Sequence, residues 1–139
     1  PRMLESAKGK NKVGTVVIGT VQGDIHYIGK DIVANLLKTA GFDVINLGVD
    51  VKPSKFISEA EMAKADIIAA SSLLTTTIGY MKDITAFMND KNVRDKFFFI
   101  IGGAPVTQEW TDEIGADAYG RTARDAINIL TNYVSKKGK

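Results

Sequence analysis

The chain is 139 residues long, 45% hydrophobic and 24% charged, with 18 Lys and Arg against 16 Asp and Glu and no cysteine. That length suits one domain burying roughly two thirds of its unfolded surface, and the composition excludes wholesale disorder, a disulfide framework, a thiolate metal site and a thiol nucleophile. The longest uncharged apolar stretch, Phe97–Ile101, falls far below the roughly 18 residues of a membrane span.

In chain order, residues 1–12 read as a linker or tail and residues 13–139 as the folded domain. Val13–Gly19 is a β-branched run ending in glycine, which predicts a strand. Helical spacing follows, with Ile28, Ile32, Val33, Leu36, Leu37 and Ala40 on one face and Gly41 as the stop. Asp43–Val49 is the second strand, and Pro53 opens a helix carrying Phe56, Ile57, Ala60 and Ala63 on one face. Asp66–Ser71 is the third strand, and Ile78, Met81, Ile84 and Met88 mark the third helix. Phe97–Gly102 is the fourth strand, followed by a short helix over Gln108–Ile114 and a weak fifth strand over Asp117–Tyr119. The last helix runs from Ala123 to Ser135 through Ala126, Ile127, Leu130, Tyr133 and Val134.

Apolar runs that are continuous rather than alternating call for burial on both faces. A strand–helix order repeated five times, with right-handed crossovers, predicts an α/β fold. The sheet is expected to be doubly wound (Rossmann or flavodoxin-like), open, five-stranded and parallel, with helices on both faces. Positive charge gathers at the ends, in Lys8, Lys10 and Lys12 and in Lys136, Lys137 and Lys139. Such charge reads as solvated tails, so neither nucleic acid nor membrane is an expected partner. No targeting segment is legible, which makes the cytoplasm the expected compartment. The start at Pro1 carries the expectation that a segment ahead of it has been removed or left out.

Ligands of such sheets bind beyond the carboxyl ends of the strands. After the first strand comes Gly19-Thr20-Val21-Gln22-Gly23-Asp24-Ile25-His26-Tyr27-Ile28-Gly29-Lys30, which holds the only histidine. It matches neither the dinucleotide Gly-x-Gly-x-x-Gly turn nor a P-loop. After the third strand comes Ser71-Ser72-Leu73-Leu74-Thr75-Thr76-Thr77, and after the fourth Gly102-Gly103-Ala104-Pro105. Taken singly, each has a plain structural reading. His26 is then a solvated or capping residue, Asp24 a helix N-cap, the hydroxyls a cap for the third helix, the glycines an ordinary turn and Trp110 a packing residue. Together, the three segments converge on one edge of one sheet.

Asp24-x-His26-x-x-Gly29, then Ser71-x-Leu73, then Gly102-Gly103, with residues 30–70 and 74–101 between them, resembles the cobalamin-binding signature. Over about residues 13–135 the chain is similar to the corrinoid domain of methionine synthase. It is more similar to the corrinoid (cobalamin-binding) proteins of anaerobic methyltransferase systems of the methylamine, methanol and O-demethylase type. The stretches Gly-Asp-Ile-His-x-Ile-Gly-Lys (23–30) and Gly-Gly-Ala-Pro-Val-Thr (102–107) carry that closer likeness. The resemblance implies that residues 13–139 form a cobalamin-binding domain, whose cobalt corrinoid sheds its own nucleotide base and takes a protein histidine instead. His26 is the implied metal ligand. Asp24 holds the far ring nitrogen and Thr77 closes a His–Asp–hydroxyl relay, so these three are the expected catalytic residues. The expected cofactor-binding residues are Asp24, His26, Tyr27, Ile28, Gly29, Ser71, Leu73, Thr75, Gly102, Gly103, Ala104, Tyr119, Gly120 and Arg121. Small and hydroxylic ones line a slot for the nucleotide tail, and Arg121 lies near its phosphate.

The implied function is methyl carriage on cobalt between a substrate-specific methyltransferase and an acceptor methyltransferase, tetrahydrofolate-linked in one form. A reductive activase is the third partner, and the chain alone has no complete activity. An O-demethylase system is the expected setting. Reduction of the cobalt is expected to release His26, with proton uptake by the relay. Tyr27 stands where the family commonly has Asp, which puts in doubt any relay through a second carboxylate. The helical bundle that close relatives carry upstream is not in this sequence. Two other functions compete. A small cobalamin-binding subunit of an adenosylcobalamin-dependent mutase shares the signature, but its radical chemistry uses a barrel domain this sequence does not contain. A flavodoxin-like interaction domain without corrinoid fits worse. Receivers place an acidic residue where Ser71-Ser72 stand, and flavodoxins a hydroxyl-rich phosphate loop where Gln22-Gly23-Asp24 stand.

Overall fold

Alternating side chains along the buried strands feed two separate cores, and the crossovers decide which helix covers which. The computed structural model describes residues 12–137; the tail expected over residues 1–12 lies outside these apart from Lys12, as do Lys8, Lys10 and Lys139. Five strands, β1 (Thr15–Val21), β2 (Asp43–Val51), β3 (Ile67–Ser71), β4 (Phe98–Gly102) and β5 (Ala118–Gly120), alternate with five helices. The helices are α1 (Ile28–Thr39), α2 (Pro53–Ala63), α3 (Gly79–Asp90), α4 (Gln108–Ile114) and α5 (Ala123–Lys137), and a 3-10 turn at Arg94–Lys96 leads into β4. Every ladder is parallel and the order is β2-β1-β3-β4-β5. The sheet is therefore the expected doubly wound α/β sheet, with its switch in strand order between β1 and β3.

Val16, Ile18, Ile67, Ala69 and Ile100 face α1 and α5, where they meet Ala34, Leu37, Ala126 and Leu130. Val17, Val21, Ile68, Phe99 and Ile101 face the other way. There they pack on Phe56, Ile57 and Ala60 of α2, Met81, Ile84 and Met88 of α3, and Ile114 of α4. Each large apolar side chain so buried contributes about 1.5–3 kcal/mol. Pro53 sits in the first turn of α2, where its missing N–H costs nothing. Thr107 caps α4, its hydroxyl accepting from the Trp110 N–H at 3.0 Å.

Three expectations are corrected. β1 starts at Thr15 rather than Val13 and runs on to Val21. The Val13 N–H bonds the Gly41 carbonyl instead of a strand, whereas Thr20 and Val21 have ladder partners in Ser71 and Val51. β2 is an edge strand, and its side chains are mostly half-buried with Asn46 exposed; apolar composition does not distinguish an edge from the middle of a sheet. In α1 the stripe against the sheet is Lys30, Ala34 and Leu37, whereas Ile28, Ile32 and Leu36 are exposed. Among the described residues no helix is long and apolar enough to cross a membrane.

Candidate functional site

The loop after β1 is held by its neighbours before any ligand is considered. Thr20 donates its hydroxyl to the His26 carbonyl at 2.8 Å. From the end of β2, Asp50 accepts the Gly23 N–H at 2.8 Å and donates its own N–H to the Asp24 carbonyl at 2.9 Å. Asp24 itself is fully buried. Its Oδ1 accepts the His26 N–H at 2.9 Å and lies 2.7 Å from His26 Nδ1, while its Oδ2 accepts the Leu73 N–H at 2.6 Å. One carboxylate thus ties the loop after β1 to the loop after β3, across the switch point.

Burial pushes the Asp24 pKa up, but the bonds from the His26 and Leu73 N–H groups and from the His26 ring together hold it below the usual carboxylate range. An ionised carboxylate only accepts, so Nδ1 carries the proton and a neutral His26 presents the lone pair of Nε2. The imidazole is half exposed, at 50% of its side-chain surface. That combination, with one ring nitrogen anchored on a buried anion and the other free, is what a metal-ligating histidine requires. Around it Ile25, Tyr27, Leu73 and Leu74 on the same two loops, and Ile28 at the start of α1, are exposed apolar residues, an arrangement suited to covering by a broad apolar group.

Beside His26, between α1 and α5, a cleft of about 210 Å³ runs down the sheet. Its floor is Ile18, Ala69 and Ile100, and its walls include Ile32 and Val33 of α1 and Ala126 and Leu130 of α5. Small residues keep it open. A Cβ on Gly120 would meet the Ala126 Cβ at 3.0 Å, so α5 can approach β5 only over a glycine. Gly103 has φ +125°, and a Cβ there would lie 1.8 Å from the Ser72 carbonyl oxygen, so no other residue fits that turn at the mouth.

Of the residues expected from sequence, His26, Gly29, Ser71, Leu73, Gly102, Gly103, Gly120 and Arg121 line this cleft. Asp24 acts from beneath, through His26. Tyr27, Ile28, Thr75 and Ala104 are exposed outside it. Tyr119 is a correction, because it packs against the core on the opposite face of the sheet; Ala118 and Gly120 take the cleft side, as the two-residue period of a strand demands. The relay through Thr77 is a second correction. The Thr77 and Ser72 hydroxyls lie 2.8 Å apart, each 3.2 Å from the Leu74 carbonyl, and neither bonds Asp24, whose Oδ2 accepts the Leu73 N–H. Asp24 does not cap α1, whose N-cap is Tyr27 without a side-chain bond, and no hydroxyl caps α3. Trp110 packs as a half-buried residue on the α2–α4 face. Sequence reasoning missed Lys30, Val33, Thr122, Ala123, Ala126 and Leu130 as cleft residues. Most carry only a core signal, and Lys30, though inside the quoted 23–30 stretch, reads as a surface lysine.

The B12 binding domain family matches residues 14–128. A corrinoid protein of Desulfitobacterium hafniense is 44% identical over 130 residues, which are 94% of this chain and 60% of that protein. Trimethylamine corrinoid protein 1 of Methanosarcina acetivorans is 48% identical over 126 residues, 90% of this chain and 58% of that protein. This chain thus spans about 60% of the length of these curated relatives. Among solved structures, the methanol:cobalamin methyltransferase complex of Methanosarcina barkeri holds a chain that superposes with a TM-score of 0.86 at 29% identity, covering 95% of this chain and 52% of that one.

Proposed function

The chain belongs to the B12-binding domain family and its cofactor is cobalamin, and from that premise we propose that it is the cofactor-carrying domain of a methyl carrier in a corrinoid methyltransferase system. Bound cobalamin supplies a cobalt centre that accepts a methyl group and gives it up. The observation that carries the reading is the pair of Asp24 Oδ1 and His26 Nδ1 at 2.7 Å, which leaves Nε2 free to ligate cobalt at the mouth of the cleft. The cleft suits the detached nucleotide tail, being narrow, mostly apolar and roofed by two helices. Asp24, buried behind the ring, orients it through Nδ1 and leaves Nε2 as the atom that faces the cofactor.

A substrate-specific methyltransferase is the proposed first partner, supported by the likeness to a chain of the methanol:cobalamin methyltransferase complex. An acceptor methyltransferase, in one form tetrahydrofolate-linked, and a reductive activase complete the set. The finer reading of the donor is an aryl methyl ether, as in an O-demethylase; similar proteins are named for trimethylamine and methanol. Membership in the B12-binding family overturns the interaction domain without corrinoid.

Protein mixed with hydroxocobalamin and desalted is expected to retain the colour, and His26→Gly is expected to change the visible spectrum of what is retained. A colourless eluate refutes the carrier reading, and an unchanged spectrum removes His26 from cobalt. Full-length protein, loaded and offered aryl methyl ether, trimethylamine and methanol methyltransferases in parallel, assigns the donor. Isomerisation with a mutase partner and no methyl transfer with any of them favours the mutase subunit.

A further inference from the structure

β2 does not run evenly beside β1. Thr15–Ile18 pair with Asp43–Asn46 residue for residue, but Gly19 pairs with Gly48 and Val21 with Val51. Leu47 is thus an extra residue on β2, and further along Val49 and Asp50 together oppose the single Thr20. Each irregularity is a bulge, a device that bends a strand and re-aims its side chains. The second leaves Asp50 in the left-handed region, at φ +54°, which Asp tolerates better than most residues but still at a cost. Packing does not offset that cost, since Asp50 is exposed.

What Asp50 meets is the turn that leads to His26. The Asp24 N–H bonds the Val21 carbonyl at 3.1 Å, and Gly23 stands third in that four-residue turn at φ +84°, as in a type II turn. Within the turn the Gly23 N–H has no acceptor; Asp50 Oδ1 supplies one at 2.8 Å. The Asp50 N–H in turn donates to the Asp24 carbonyl at 2.9 Å. One residue therefore grips the chain at both ends of the Gly23–Asp24 pair. Beyond Asp24 the loop is held by Thr20, the residue opposite the bulge, whose hydroxyl bonds the His26 carbonyl at 2.8 Å. Neither Gly23 nor Asp50 lines the cleft, so the grip acts on the histidine loop and not on the space beside it.

Resting on the reading of His26 as the cobalt ligand, we propose that Asp50 is a positioning residue. The bulge brings its carboxylate to the Gly23 N–H, and that bond holds the loop of residues 21–26 where His26 Nε2 can ligate. A histidine on a loop that must first be ordered ligates more weakly, because the entropy lost in ordering is subtracted from the coordinate bond. Asp50 thus sets the strength of the axial ligand, while retention of the corrinoid is left to the cleft.

The test is a cyanide titration of protein loaded with cyanocobalamin, followed by its visible spectrum. A second cyanide binds the cobalt only by displacing the lower axial ligand, so the cyanide concentration at half conversion reads how tightly His26 is held. Asp50→Gly accepts φ +54° without strain and removes the carboxylate. It is expected to lower that concentration about three- to tenfold, the scale of one hydrogen bond, with colour retained on desalting. Asp50→Asn keeps an acceptor oxygen and a tolerance of the left-handed region, and is expected to stay within about twofold of wild type. An unchanged concentration or a colourless eluate from Asp50→Gly, or an equal fall in Asp50→Asn, overturns the proposal. Should Asp50→Gly not fold, amide exchange in wild-type apo-protein decides: the Gly23 N–H is expected to exchange more slowly than in an unstructured chain, and exchange at the unstructured rate overturns the proposal. Wild-type protein that retains no corrinoid, or His26→Gly protein that needs as much cyanide as wild type, refutes the reading of the ligand instead.

Discussion

The two faces of the sheet are built from the same alternating strands and end up with opposite properties. On the α2–α4 side the helices present Phe56, Ile57, Met81, Ile84 and Met88, all essentially without solvent exposure. On the α1 and α5 side the residues around the cleft include the small Ala69, Ala126 and Gly120. Large side chains close one interface; small ones let two helices stand off the other and leave the cleft. A binding site in this fold is therefore made by withholding volume locally on one face, beside a core that Leu37, Ile67 and Leu130 still close, while the other face is packed throughout.

Met88→Ala breaks that comparison first if it fails. Removing a fully buried side chain from the closed face is expected to cost about 2–5 kcal/mol, read as a lower urea midpoint, while folded protein retains cobalamin. Ala126→Leu is the converse experiment. Filling the cleft wall costs at most about 1–3 kcal/mol of apo stability, yet desalted protein is expected to come off colourless. If Met88→Ala loses cobalamin or Ala126→Leu keeps it, the division between the faces is wrong.

Asp24→Asn sharpens the comparison at the mouth of the cleft. Loss of the carboxylate behind His26 is expected to weaken cobalamin binding about 10–100-fold. It also changes the acid response. The folded pKa of Asp24 lies below its ordinary value, so its contribution to stability is present above about pH 4 and is lost as pH falls through the folded value. Acid titrations of wild type and Asp24→Asn, followed by circular dichroism, are expected to differ in slope below about pH 4, with the variant the flatter. The smallest effect belongs to Lys91→Ala, which breaks the exposed pair with Glu61 (2.6 Å) between α3 and α2. It is expected to shift stability by no more than about 0.5 kcal/mol, since closure of that face rests on apolar volume.

Tyr119 shows that some of what sequence reasoning got wrong was nonetheless legible. Ala118, Tyr119 and Gly120 alternate across β5, and once Gly120 is assigned to the cleft, Tyr119 must face away. Lys30 is different. Nothing local distinguishes a buried lysine from the solvated ones on the same helix; its burial follows from Asp31 beside it and Asn46 on another strand. Thr77 belongs with Lys30, because its hydroxyl turns to Ser72 and the Leu74 carbonyl rather than to Asp24, which the path of the folded loop decides.

The order of elements, the parallel sheet and the convergence of the loops at residues 23–30, 71–77 and 102–105 were determined by the sequence alone. Periodicity, proline and glycine placement and burial preference are local properties of the chain, and right-handed crossovers leave few ways to assemble them. Only the tertiary structure decided which donor takes the second oxygen of Asp24, which apolar stripe of α1 meets the sheet, and how much space α5 leaves above Ala69. Each of these is a contest between groups on different elements of the fold, Asp24 and Leu73 among them, settled by distances that no local pattern encodes.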